Sequence, residues 1–209
     1  MPLPDGMSLR SGALAEPVAV ALRIGEMAGS LEGQDVLVIG AGPIGLLALQ
    51  SLRAQGAGRA FIADRDPARL AMGAELGGET IDARNVDTAQ AVRERTEQRG
   101  VAVSVDAVGL ASTRLQCVTA TRSGGTMIMS GLHEETSAMP AADIIRREIV
   151  VRGCFAYSPA NFAQALQVLA AGSMRLDPWI VEAPLADGGR WFDRLIDAPG
   201  NVAKVLLVP

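Results

Sequence analysis

The groups in this chain best placed for chemistry are three glycines and one acid. Gly40-Ala41-Gly42-Pro43-Ile44-Gly45 stands directly after the apolar run Val36-Leu37-Val38-Ile39 and opens a stretch in which Ile44, Leu47, Ala48 and Leu52 recur at helical spacing. A GxGxxG between a strand and a helix suits a pyrophosphate. Gly40 makes the tight turn, Gly42 lets the phosphates approach the backbone, and Gly45 lets helix and strand pack closely. Pro43 fits the first helical position, and the free N–H groups of that first turn offer partial positive charge to an anion. Asp64 follows Gly45 by nineteen residues, at the end of a second apolar run. An acid there accepts both hydroxyls of an adenosine ribose and repels the 2′-phosphate of NADP. Arg65, the next residue, is of the type that holds such a phosphate, but an acid at the strand end discriminates by repulsion as well as by attraction, so NAD is expected ahead of NADP. Asp66, directly before Pro67, reads instead as a helix cap.

Metal chemistry has few candidates. The chain carries one histidine, His133, and two cysteines, Cys117 and Cys154, far apart in sequence. A zinc held by this chain alone would need carboxylates in unusual number. Cys117 reads as core and His133 as a solvated loop residue. Asp106 either orients a cofactor ribose or satisfies nearby N–H groups. No disulfide framework is indicated.

The 209 residues suit one full-sized domain, or one with fragments of another. The net charge of −4, from 19 basic and 23 acidic residues scattered along the chain, offers no basic stripe for nucleic acid. The longest apolar stretch, Val36 to Leu49, is broken by glycines and falls short of the roughly 20 residues a membrane span needs. The N-terminus lacks the marks of a secretion signal, so a cytoplasmic location is expected.

The elements that would position the glycine loop and acid alternate. Strands are expected at Val36–Ile39, Ala60–Asp64, Thr80–Asp82, Val101–Val108, Thr126–Ser130 and Ile149–Phe155. Helices are expected after Pro43, after Pro67, over Asp87–Arg99 and over Ser112–Thr121. Parallel neighbours need crossovers of this length, so the pattern predicts an α/β, doubly wound, six-stranded parallel sheet of Rossmann type, with strand order 3-2-1-4-5-6. The division expected is 1–33 as a lead with a helix over Glu16–Met27, 34–158 as the dinucleotide domain, and 159–209 as a tail. The tail would hold helices over Pro159–Ala171 and Leu185–Ile196, a short stretch at Trp179–Val181 and a terminal strand at Lys204–Val208.

Gly12-Ala13-Leu14-Ala15-Glu16-Pro17, the glycine loop, Asp64 with Arg69-Leu70, Ala120 to Thr126, Gly131-Leu132, Gly153 to Tyr157 and Lys204 to Pro209 occur in an order that resembles the zinc-type medium-chain alcohol and polyol dehydrogenases. The sorbitol and threonine dehydrogenases are the branch it looks most like. The resemblance implies that Gly40, Gly42 and Gly45 take the pyrophosphate, that Asp64 takes the adenosine ribose and that Arg69 supports that ribose from the next helix; Pro43, Ile44 and Arg65 are counted with them as cofactor-binding. It also implies that Val108, Gly109, Ser130, Leu132, Cys154 and Ala156 line the nicotinamide side, largely through backbone; many members carry arginine where Ala156 stands. Glu16 matches a glutamate at or beside the catalytic zinc, and by itself reads as an exposed acid at a helix start. The cysteine, Gly-His-Glu and four-cysteine zinc segments of the family have no counterpart here. The chain is therefore expected to be a cofactor domain with remnant segments of a second domain at both ends, zinc belonging only to a full-length parent.

The reaction that the resemblance implies is hydride transfer between a small secondary alcohol or polyol and NAD. The isolated chain is expected to bind dinucleotide without turnover, and to pair as a homodimer through the strand near Ile149–Phe155. Three other readings stand beside this one: a zinc-free NADPH-dependent reductase, a non-enzymatic dinucleotide-binding or assembly module, and a methyltransferase with a similar glycine loop.

Overall fold

The computed structural model describes residues 1–209. A short helix α1 (Leu9–Gly12) leads into α2 (Ala15–Ala28). Next come β1 (Val36–Ile39), α3 (Pro43–Ala54), β2 (Ala60–Asp64), α4 (Pro67–Glu75), β3 (Glu79–Asp82) and α5 (Thr88–Arg95). The second half runs β4 (Val101–Asp106), α6 (Ala111–Ala120), β5 (Thr121–Met129), α7 (Ala141–Arg146) and β6 (Val150–Gly153). The tail is α8 (Pro159–Ala170), β7 (Ile180–Pro184), α9 (Gly188–Asp197) and β8 (Lys204–Val208).

Six strands form one parallel sheet in the order β3-β2-β1-β4-β5-β6. This is the expected doubly wound topology, and its order reverses at β1, which pairs with β2 on one side and β4 on the other. All four residues of β1 are buried, because each of its faces is covered by helices. The period-two alternation of a strand then divides the core. Val36 and Val38 face a cluster of 29 buried residues that takes in α2, α3 and α8, whereas Leu37 and Ile39 face one of 14 residues beneath α5 and α6.

Several boundaries differ from the sequence expectation. β4 ends at Asp106 rather than Val108, because the Asp106 side chain accepts the amides of Val108 and Gly109 and turns the chain out of the sheet. β6 stops at Gly153 rather than running to Phe155. The helix expected to reach Arg99 ends at Arg95, and Glu97 and Gln98 follow with φ of 52° and 64°. β5 begins at Thr121, ahead of an irregularity that shifts its register on β4 between Val101 and Val103. The short helix α7 has no counterpart in the sequence expectation.

The tail strands β7 and β8 pair in parallel as a separate two-stranded sheet. Beside them α9, preceded by a single turn at Leu185–Asp187, has no buried residue and leaves Phe192 and Ile196 each 68% exposed. No helix is long and apolar enough to cross a membrane.

Candidate dinucleotide site

The three glycines of the loop have different roles. Gly40 has φ +101°, a conformation costly for other residues, and its N–H donates to the Ala63 carbonyl at 2.8 Å, tying the end of β1 to β2. A Cβ at Gly45 would lie 1.7 Å from the Gly40 carbonyl oxygen, so α3 crosses the loop at a distance only glycine permits. Gly42 has φ −74°, which any residue adopts, and a Cβ there would meet nothing within 4 Å. The space over Gly42 is thus open, at the N-cap of a helix whose first residue is Pro43, and Ile44 beside it is only half-buried.

Asp64 ends β2 beside this loop. Its Oδ2 accepts the Ala41 N–H at 2.6 Å and its Oδ1 accepts the Asp66 N–H at 2.9 Å. Asp66 in turn caps α4 by accepting the Ala68 N–H at 2.8 Å, as its place before Pro67 predicts. A carboxylate offers about four acceptor positions, so two amides leave capacity for hydroxyl donors. Asp64, Arg65 and Arg69 line a cleft of about 340 Å³ together with Gly40 and Val108. Across from them the start of α6 forms part of the wall, where Ser112, Thr113 and Gln116 face the same cleft. Sequence reasoning did not single these out. Their place in the first turns of the helix that follows β4, across the switch point from β1, is the signal that would have found them.

The residues expected on the nicotinamide side lie at the same carboxyl edge of the sheet, but two clefts divide them. Val108 lines the first. Leu132 and Cys154 line a second, of about 630 Å³, with Met129, Gly131 and Phe155 at the ends of β5 and β6. Gly109, with φ +92°, is packed so tightly on the chain after β5 that a Cβ would come 2.3 Å from the Gly131 carbonyl carbon. The Ser130 N–H donates to the Asp106 carbonyl at 2.9 Å, and Ala156 takes φ +54° just beyond β6. Asp106 is fully buried, and its Oδ1 takes the Val108 and Gly109 amides at 3.0 Å each, so one of its carboxylate oxygens serves the backbone. Burial raises the Cys154 thiol above its usual range, with the nearby Arg23 acting weakly against it.

Metal chemistry finds no donor set here. No three His, Cys, Asp or Glu side chains come together to hold an ion. Glu16 is exposed in the first turn of α2, His133 is exposed on the loop after β5, and Cys117 lies wholly inside the core.

A Rossmann-type α/β fold with its clefts at the carboxyl ends of the strands defines the class of protein. Residues 43–171 match the family model described as zinc-binding dehydrogenase, and the chain belongs to that family. It is 31% identical to sorbitol dehydrogenase of Bos taurus over 181 residues, which is 85% of this chain and 51% of that one. Among solved structures, L-idonate 5-dehydrogenase of Escherichia coli superposes with a TM-score of 0.89 at 31% identity, over 100% of this chain and 60% of that one. A protein of Sinorhizobium meliloti 1021, described as a zinc-binding dehydrogenase and bound to NADP, superposes with a TM-score of 0.88 at 26% identity, over 99% and 60%. The chain thus spans about half the length of the curated relatives it matches, and it corresponds to the cofactor-binding part of them.

Proposed function

We propose that this chain binds NAD(H) for an alcohol or polyol dehydrogenase, fixing the dinucleotide so that hydride passes between nicotinamide and a secondary alcohol. The observation that carries the reading is the Asp64 carboxylate at the rim of the adenosine-side cleft, bonded through Oδ2 to the same loop whose Gly42 leaves the helix N-terminus open. Gly40, Gly42, Pro43, Ile44 and Gly45 would surround the pyrophosphate. Asp64 and Arg69 would take the ribose, and Val108, Gly109, Ser130, Leu132, Cys154 and Ala156 the nicotinamide half. The nicotinamide supplies hydride acceptance and donation; what these residues supply is orientation. The polyol substrate class rests on the sorbitol and L-idonate dehydrogenases among the relatives.

NAD is preferred in this reading because Asp64 stands where a 2′-phosphate would come. The NADP-bound relative and the pair Arg65 and Arg69 at the same cleft favour a second reading, an NADPH-dependent reductase. Titrating the chain with NADH and NADPH, followed by nicotinamide fluorescence, separates the two: tighter NADPH binding overturns the first. With no donor set for zinc, the isolated chain is expected to bind cofactor without oxidising polyols. Stoichiometric zinc with sustained turnover would refute that.

The same reading holds 34–158 to be the dinucleotide unit, flanked by 1–33 and 159–209. It makes β6 the seam of a homodimer, since that strand has an unpaired outer edge and Val150 is exposed on it. A monomeric mass by light scattering would exclude the dimer. Two free thiols, Cys117 and Cys154, suit the cytoplasm.

A further inference from the structure

Between the two clefts runs a wall made of α6 and the loop after β5, and one buried arginine fastens the two together. Arg114 is only 8% exposed. Its Nη1 donates to Ser137 Oγ at 2.9 Å and its Nη2 to the Glu134 carbonyl at 2.8 Å, so both anchor points lie on the loop. Glu134 closes the fastening from the other side: its Oε2 accepts the Ala111 N–H at 2.7 Å, and its own N–H donates to the Gly109 carbonyl at 2.9 Å. Behind the guanidinium, Arg114 Nε faces Asp106 Oδ2 at 3.8 Å, and neither atom has a hydrogen-bond partner. A buried charge pair left at that distance is costly for what it contributes to stability, since desolvation is offset only by good geometry. The Arg114 side chain nevertheless bonds the loop at two points, while Asp106 Oδ1 holds the turn at Val108 and Gly109.

The consequence is a division of labour within one helix. Ser112, Thr113 and Gln116 of α6 line the adenosine-side cleft, and Arg114 lines the second cleft with Gly131, Leu132 and Ser137. We infer that Arg114 is a positioning residue for the nicotinamide half of the dinucleotide: through Ser137 and Glu134 it holds the loop bearing Leu132 in register with the cleft, and the adenosine half does not depend on it. The inference rests on the dinucleotide reading above.

Two arms test it, using Arg114→Met and, because burial of Asp106 without its partner can prevent folding, Ser137→Ala, which removes the acceptor of Arg114 Nη1 on the loop and leaves the buried charge pair in place. In the first arm, hydrogen exchange of the ligand-free chain should speed at least tenfold at residues 131–137 in either variant, with the amides of β1 and β2 unchanged. In the second, AMP affinity should stay within twofold while NADH affinity falls at least tenfold and its fluorescence enhancement is lost. A general structural role would weaken AMP and NADH alike and speed exchange throughout the sheet, which would overturn the inference. So would unchanged exchange in the loop, or unchanged NADH affinity. If the parent chain binds neither AMP nor NADH, the dinucleotide reading fails, and with it the role assigned to Arg114. The exchange arm then still decides whether the arginine fastens the loop.

Discussion

Replacing Gly42 and Gly45 separately by alanine should split binding from stability. At Gly42 the backbone already has φ −74° and ψ −176°, which suits any residue preceding a proline, and the added methyl meets nothing within 4 Å. Losing a glycine N-cap costs up to about 1 kcal/mol, and stiffening the unfolded chain returns about 0.4–1 kcal/mol, so the net change in stability should lie within about 1 kcal/mol of zero. The same methyl occupies the open space at the helix N-terminus, and NADH affinity should drop more than tenfold, about 1.4 kcal/mol or more. At Gly45 the methyl would lie 1.7 Å from the Gly40 carbonyl oxygen and 2.8 Å from its carbon, both backbone atoms that cannot rotate away. Overpacking of this kind costs at least about 3 kcal/mol, which for a chain this long lowers the melting temperature by roughly 6–12 °C. Differential scanning calorimetry and nicotinamide fluorescence titration read the two effects. A Gly42→Ala chain that binds NADH within twofold of the parent would refute the cradle, and a Gly45→Ala chain that melts unchanged would refute the close crossing.

Asp64→Ala should narrow or reverse the preference for NADH over NADPH, and should also cost about 1.5–3 kcal/mol of stability, since two backbone amides lose a charged acceptor; parallel titrations and melts check both. Asp82, hydrogen-bonded by the Arg84 side chain and then by the Arg84 amide, has its pKa lowered to about 2. A group depressed in the folded state adds stability above its unfolded pKa of about 3.9 and loses it as pH falls through 2. Asp82→Asn should therefore flatten the stability profile between these values, as acid titration by circular dichroism would show. Burial, aided by the Asp106 charge, raises the Cys117 thiol well above its usual range, so a thiol reagent at pH 8 should leave it untouched until the chain unfolds. Labelling of Cys117 in the folded protein, read by peptide mass, would contradict its place in the core.

Most of the sheet was legible because its punctuation is local. Glycine and proline mark both ends of α3, Asp66-Pro67 opens α4, and the wholly apolar run of β1, with the mostly apolar runs of β2 and β4, announces strands buried on both faces. What escaped depends on partners distant in sequence. Thr121 joins β5 only because Val101 lies beside it, across a segment of Arg122, Ser123, Gly124 and Gly125 that by composition reads as a turn. β7 and β8 are separated by a helix, and nothing in either run states that they pair. That Gly40 and Asp64 come to one cleft was legible from spacing, and the resemblance put Leu132 and Cys154 at the same edge of the sheet, where they line the second. Arg114 was not legible, because an arginine inside a short helix looks solvated until the loop that covers it is known.

On the proposed reading, the bond from Ala41 to Asp64 Oδ2 makes one carboxylate both the reader of the cofactor and a member of the loop that would receive it. Specificity and loop shape are therefore inherited together. A lineage drifting from one dinucleotide to the other by losing this acid would first pass through a slackened loop with poor grip on either. A neutral acceptor such as asparagine at position 64, able to keep the Ala41 amide while dropping the negative charge, offers a passage that preserves the turn. Arg65 and Arg69, already at the rim, would then become the recognising groups without any further change in the backbone.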